Sequence, residues 1–278
     1  MMLANFERDG IRFAFERRST GRPMVLLHGL GGDRSGGFDL ADTRLRWQRL
    51  ALDQRGHGDT EPVGPETGYS FEVFASDVLA LLDNEDVNAA VVVGVSMGSA
   101  VALRLALDHP RRVKGLALVR PAWTHEPLTE NLVPNIEVAG LLRSMPPADA
   151  LAAFRSSRTY GQIRGVSRHA AESLCSQFLR PRAVERSVRL FQMPRCTPYT
   201  DPDQLATVQQ PTVVIGCDRD PLHPIEIART WARLIPTASL ESVSSSADDI
   251  SRHRREVRAV VDALLDRVDS IQAQESEQ

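Results

Sequence analysis

The 278-residue chain predicts an α/β fold with a mostly parallel central sheet flanked by helices, interrupted by a long helical insertion. Three observations carry this reading. AAVVVGVS at 89–96, VKGLALV at 113–119 and PTVVIGC at 211–217 are continuous apolar runs, as expected of strands covered on both faces. Segments of helical period separate most of the strand-like runs. About 90 residues then part the second buried run from the third, far more than one crossover helix needs.

Taken in order, IRFAFE at 11–16, PMVLLHG at 23–29 and RWQRLALDQRG at 46–56 read as early strands ending in glycine or polar turns. Ser70 is positioned to cap a helix whose Val73, Phe74, Val78, Leu81 and Leu82 share a face. The 89–96 strand is followed by the small-residue helix MGSAVALRLALDH. The segment from about Pro121 to Val208 lacks strand runs and reads as helices laid over the sheet. A helix over about Pro224–Leu234 and a last strand, ASLESV, come next. The closing helix places Val257, Val260, Val261, Leu264, Leu265 and Val268 on one stripe, and the polar tail QAQESEQ is expected to be disordered.

A hydrophobic content of 42% suffices for a sizeable core, while a net charge of -3 leaves no basic excess for nucleic acid or an anionic membrane surface. The expected partner is a small-molecule substrate; oligomeric state is left open. Cys175, Cys196 and Cys217 are odd in number and widely spaced, suggesting neither a disulfide framework nor a zinc site. No apolar run approaches the roughly 20 residues that span a bilayer, and none of signal-peptide length opens the sequence. A cytoplasmic location is the resulting expectation.

The strongest chemical signal is Gly94-Val95-Ser96-Met97-Gly98, between a buried strand and a helix. A serine on so sharp a turn lifts its hydroxyl clear of the sheet and needs small neighbours where backbones pass closely. The competing reading is a tight turn whose serine merely caps the helix. His28-Gly29-Leu30-Gly31-Gly32 follows another strand and can turn amides inward. An oxyanion formed at Ser96 would be held by the Leu30 and Met97 N–H groups. His28 reads chiefly as a shaper of this loop.

HGLGG, the DQRGHGDT run at 53–60 and GVSMG together, in this order, resemble the α/β-hydrolase superfamily. The resemblance covers about residues 10–120 and 209–268. It implies a discontinuous α/β-hydrolase core, 1–120 with 209–278, and a helical cap at 121–208. It carries the nucleophile onto Ser96 and makes His57 a structural turn residue. It puts the triad acid on Asp220 in GCDRDPLHP, with Asp218 as rival; the alternative acid position, around Arg120, offers no carboxylate. A serine nucleophile argues against the dehalogenase and epoxide-hydrolase branches, and no cofactor or metal is implied.

The resemblance breaks after the last strand. Its expected histidine is absent from Ser244-Ser245-Ser246-Ala247-Asp248. His253, four residues before Val257, extends the inward stripe of the closing helix and is the expected base, the alternative being a packed structural histidine and a broken triad. Asp248, Asp249 or Ser251 could cap that helix. His223 reads as a lining residue. Trp123 and His125 are candidate pocket residues with His28, and Phe154, Tyr160, Phe178, Phe191 and Tyr199 are either pocket wall or cap core. Ten arginines against eight acidic residues across 121–208 could greet an anionic group, although a solvated face is the plainer explanation. The expected activity is a serine hydrolase acting on an ester, thioester or lactone. Against it stand a non-catalytic binding protein and, on the same scaffold, an acyltransferase or carbon–carbon bond hydrolase.

Overall fold

The computed structural model describes residues 2–38, 40–41 and 46–276. The tail residues 277–278 lie outside these. Eight strands form one sheet: β1 (Met2–Arg8), β2 (Ile11–Arg18), β3 (Arg22–Leu27), β4 (Trp47–Leu52), β5 (Ala90–Val95), β6 (Val113–Val119), β7 (Thr212–Gly216) and β8 (Ala238–Ser242). Their spatial order is β1-β2-β4-β3-β5-β6-β7-β8, with β2 antiparallel to both its neighbours, β1 and β4, and every pairing from β4 onward parallel. The antiparallel β1 is an addition to the sequence reading, where its short alternation of apolar and polar residues gave no strand.

Two helices and a third cover one face: α2 (Phe71–Asn84), α3 (Met97–Asp108) and α9 (Ile225–Leu234). The other face carries α1 (Arg34–Phe38) and α10 (Ile250–Ser276). The alternation within β5 shows why its sequence is apolar throughout. Ala90 and Val92 enter the core beneath α2, α3 and α9, whereas Val91 and Val93 enter the core beneath α10. Ser70 caps α2 by accepting from the Val73 N–H. In α10, Val257, Val261, Leu264, Leu265 and Val268 are buried and Val260 packs at the margin. The helix continues to Ser276, through most of the tail expected to be disordered.

Between β6 and β7 the chain forms α4 (Val133–Ser144), α5 (Pro147–Arg155), α6 (Arg158–Val166), α7 (Arg168–Ser176) and α8 (Ala183–Gln192). These helices share an apolar cluster of their own, with Phe154 and Phe178 at its centre and Tyr160 and Phe191 packed on it. Leu30 of the core and Leu222 touch that cluster from below.

Sheet order reverses around β3, so the loops leaving the carboxyl ends of β3, β5, β6 and β7 open into one crevice. The loop after β4 braces it. Arg55 donates twice to the Asp77 carboxylate of α2, at 3.0 and 2.8 Å, and both side chains are buried. Removing one partner of such a pair leaves an uncompensated charge in the interior. Asp77→Ala is therefore expected to lower unfolding stability by about 3–5 kcal/mol, read as a lower midpoint in urea denaturation; an unchanged midpoint would mean that the pair does not brace this loop.

Candidate active site

Ser96 joins β5 to α3 in a backbone conformation, φ 54° and ψ -115°, that L-residues rarely adopt and that costs on the order of 1–3 kcal/mol. Three features of the surroundings hold it there. The Ser96 N–H donates to Val119 O at 2.9 Å, and a Cβ on Gly94 or Gly98 would collide with the Gly98 or Leu27 carbonyl respectively. Only glycine lets β5, α3 and the end of β3 approach this closely.

The loop after β7 supplies the groups facing Ser96. His223 Nε2 lies 2.9 Å from Ser96 Oγ, and His223 Nδ1 lies 3.0 Å from Asp220 Oδ1. The Leu222 N–H also donates to that Asp220 oxygen, at 3.2 Å. Asp220 is buried, whereas Asp218 is exposed.

His253 does not occupy this position, contrary to the sequence expectation. It is buried on the inward stripe of α10, but its Nδ1 bonds to Ser244 O at 2.8 Å, tying the helix to the loop after β8. Asp249 caps the helix, accepting from the Ser251 and Arg252 N–H groups at 2.9 Å each. Asp248 pairs with Arg219 instead. The residue assigned only to the lining, His223, is the one aligned with the serine. Its signal was present in the sequence: it lies on a loop leaving the carboxyl end of a buried strand, three residues after the candidate acid.

Arg120, immediately after β6, completes the cluster. Its Nη2 lies 2.7 Å from Asp220 Oδ2 and 2.9 Å from His223 Nδ1. A neutral imidazole whose Nδ1–H donates to Asp220 has a free electron pair on Nε2, where it can accept the Ser96 proton. Arg120 then acts on the base in two ways, through the carboxylate it pairs with and directly as a neighbouring cation. Burial alone would raise the Asp220 carboxyl, but the His223 and Arg120 charges hold it well below the usual carboxylate range. Burial pushes His223 down, Asp220 opposes this, and Arg120 adds to it.

The loop after β3 is fixed by two neutral imidazoles. His28 bonds through Nδ1 to Gly29 O at 2.8 Å and accepts through Nε2 from the Gln54 N–H at 3.1 Å. His57 bonds through Nδ1 to Arg55 O at 2.8 Å and accepts from the Gly31 N–H at 3.0 Å. The Gly32 N–H is committed to Gly29 O at 2.9 Å. Neither glycine amide is then available to a ligand.

A cavity of about 320 Å³ opens over Ser96 and His223, lined by Leu30, Trp123, Leu132, Leu174 and Leu222 among others. Trp123 is fixed there by donating its indole N–H to Met193 O at 2.9 Å. His125 is exposed and stacks on Tyr199 outside this cavity, correcting its reading as a pocket residue. The other aromatic candidates are spent on packing rather than on the wall. Among the described residues no cluster of three or more His, Cys, Asp or Glu could hold a metal ion, and no helix is long and apolar enough to cross a membrane. The three cysteines are unpaired thiols.

Comparison with known proteins decides the family: a family profile described as alpha/beta hydrolase fold matches residues 22–250. The chain belongs to the α/β-hydrolase superfamily. It is 35% identical over 141 residues to the dihydrolipoyllysine-residue acetyltransferase component of the acetoin cleaving system of Cupriavidus necator, covering 50% of this chain and only 37% of that protein's length. To the 2-hydroxymuconate semialdehyde hydrolase of Pseudomonas putida it is 28% identical, covering 83% of this chain and 82% of the relative. The enol-lactonase of Burkholderia xenovorans has the same fold, with a TM-score of 0.74 at 21% identity, covering 94% of this chain and 99% of that one.

His28 and His57 are held neutral by burial, each below its ordinary value. In the unfolded α/β hydrolase both would take up protons as pH falls below about 6.5, so the unfolded state binds more protons there and stability falls. Urea denaturation at pH 7.5 and 5.5 is expected to give the lower stability at 5.5. Equal stabilities would mean that these imidazoles are not buried in neutral form.

Proposed function

We propose that the protein is a serine hydrolase acting on a small-molecule ester, thioester or lactone through an acyl-enzyme. The observation that carries this is the hydrogen-bonded chain from Ser96 Oγ through His223 to Asp220. In the proposed mechanism His223 Nε2 takes the hydroxyl proton as Oγ attacks the carbonyl carbon, and Asp220 steadies the imidazolium that forms. The Leu30 and Met97 amides hold the oxyanion, at a loop already shaped by His28 and His57 and at the positive end of α3. Collapse of the tetrahedral intermediate passes the proton from His223 to the leaving oxygen or sulfur. Water, deprotonated by the same imidazole, then attacks the acyl-enzyme and returns Ser96.

This reading moves the base from His253 to His223. His223→Ala is expected to lower kcat on p-nitrophenyl acetate by at least about a thousandfold, while His253→Ala stays within about tenfold of the parent. The reverse ranking would return the role to His253. Since the base must be neutral, kcat/KM should fall as pH drops through the His223 pKa, with a midpoint below the ordinary histidine value of 6.5. Arg120→Gln removes a neighbouring cation, so that midpoint should move upward; a downward move would contradict the electrostatic role given to Arg120.

Acyl transfer to an acceptor other than water is a second reading, supported by the match to an acetyltransferase component. It uses the same residues. Adding hydroxylamine to the ester assay separates the two: a hydroxamate formed at millimolar acceptor, against predominant release of free acid, favours transfer.

A further inference from the structure

A second cavity, of about 300 Å³, lies behind the loop that follows β3. Gly31, Gly32 and Arg180 belong to the walls of both cavities. Four arginines, Arg34, Arg180, Arg186 and Arg189, face three carboxylates, Glu16, Asp33 and Asp59.

The pairing across this space is uneven. Arg180 takes Asp33 at 2.9 Å, and Arg34 takes Asp59 at 2.8 Å and Asp53 as well. Glu16 is engaged by Arg18 at 2.6 Å, from outside the cavity wall. Arg186 has Glu61 at 3.6 Å, a carboxylate that Arg182 also holds. Arg189 is 2% exposed, and among the described residues its guanidinium donates to neutral oxygens: Arg186 O at 2.7 Å, Gln177 Oε1 at 3.2 Å and Gly56 O at 3.3 Å. The Nε atoms of Arg186 and Arg189 are buried without a hydrogen-bond partner.

A buried guanidinium without a counter-charge is costly, and a second one beside it raises the cost. We propose that this cavity is an anion-binding site, in which Arg189 and Arg186, with Arg180 at the rim, take a carboxylate or phosphate group. The planar fork of arginine suits both anions, and paired forks suit them better than either alone. Consistent with an incomplete charge balance, burial first and Arg186 second bring Arg189 down to about 9.

Besides Gly31 and Gly32 in its wall, one side chain links the site to the catalytic loop. Gln177, which accepts from Arg189, packs so closely on Gly31 that a Cβ there would collide with it. The anion could be free, or could be the charged end of a substrate reaching past Arg180 from the Ser96 cavity.

Isothermal titration with inorganic phosphate, at constant ionic strength in chloride, tests the site without using hydrolytic activity. One saturable phosphate per chain is expected, with affinity weakened about tenfold or more in Arg189→Gln. Arg186→Gln supplies the same comparison if the first variant does not fold. No saturable heat in the parent protein, or an affinity unchanged by the substitutions, overturns the proposal. Two esters then identify the anion's source. Phosphate that raises KM for mono-p-nitrophenyl succinate but not for p-nitrophenyl acetate assigns the bound site to the charged end of a substrate; an equal effect on both, or none, assigns it to a free anion.

Discussion

The close approach of β3, β5 and α3 is the constraint on which the rest of the site depends. With no side chain at Gly94 or Gly98, the backbone at Ser96 can turn through φ 54° and present its hydroxyl above the sheet. The same approach brings the loop after β3 against the serine, since a Cβ on Gly29 would meet Ser96 Cβ at 3.2 Å. The buried imidazoles of His28 and His57 then tie that loop to the loop after β4, which the Arg55–Asp77 pair anchors to α2. The strain at one residue is offset by a rigid surround, which keeps the half-buried Ser96 hydroxyl in place beside His223.

Acid and base candidates sit on a single loop. Asp220 and His223 are three residues apart, so the link between them is local, and the long-range step is the one from His223 to Ser96. Arg120 makes a second long-range tie, from the end of β6 to the Asp220 carboxylate. Where the resemblance allowed for an alternative acid the chain carries a cation, and that cation faces the acid in the neighbouring loop. The loop after β8, freed of any histidine, is closed by His253 on Ser244 and by Arg219 on Asp248.

Much of this was legible in the chain. β6 runs over Val113–Val119 as its apolar run predicts, and β5 and β7 fall within theirs, because strands buried on both faces leave an unmistakable pattern. β1 was missed because a two-residue turn at Asp9 and Gly10 and an edge position ask little of its sequence. The inward stripe of α10 was readable down to His253, yet periodicity reports burial and not the partner of a buried ring. Only the fold brings the loops after β5 and β7 side by side, and so only the fold distinguishes His223 from His253.

A fluorophosphonate probe addresses the central claim, that His223 activates Ser96, most directly. Peptide mapping of the labelled protein should locate the adduct on Ser96, and His223→Ala should slow labelling severely while circular dichroism shows the fold retained. Labelling of Ser96 at the parent rate in the folded His223→Ala protein, or no adduct on Ser96 in the parent, would contradict it.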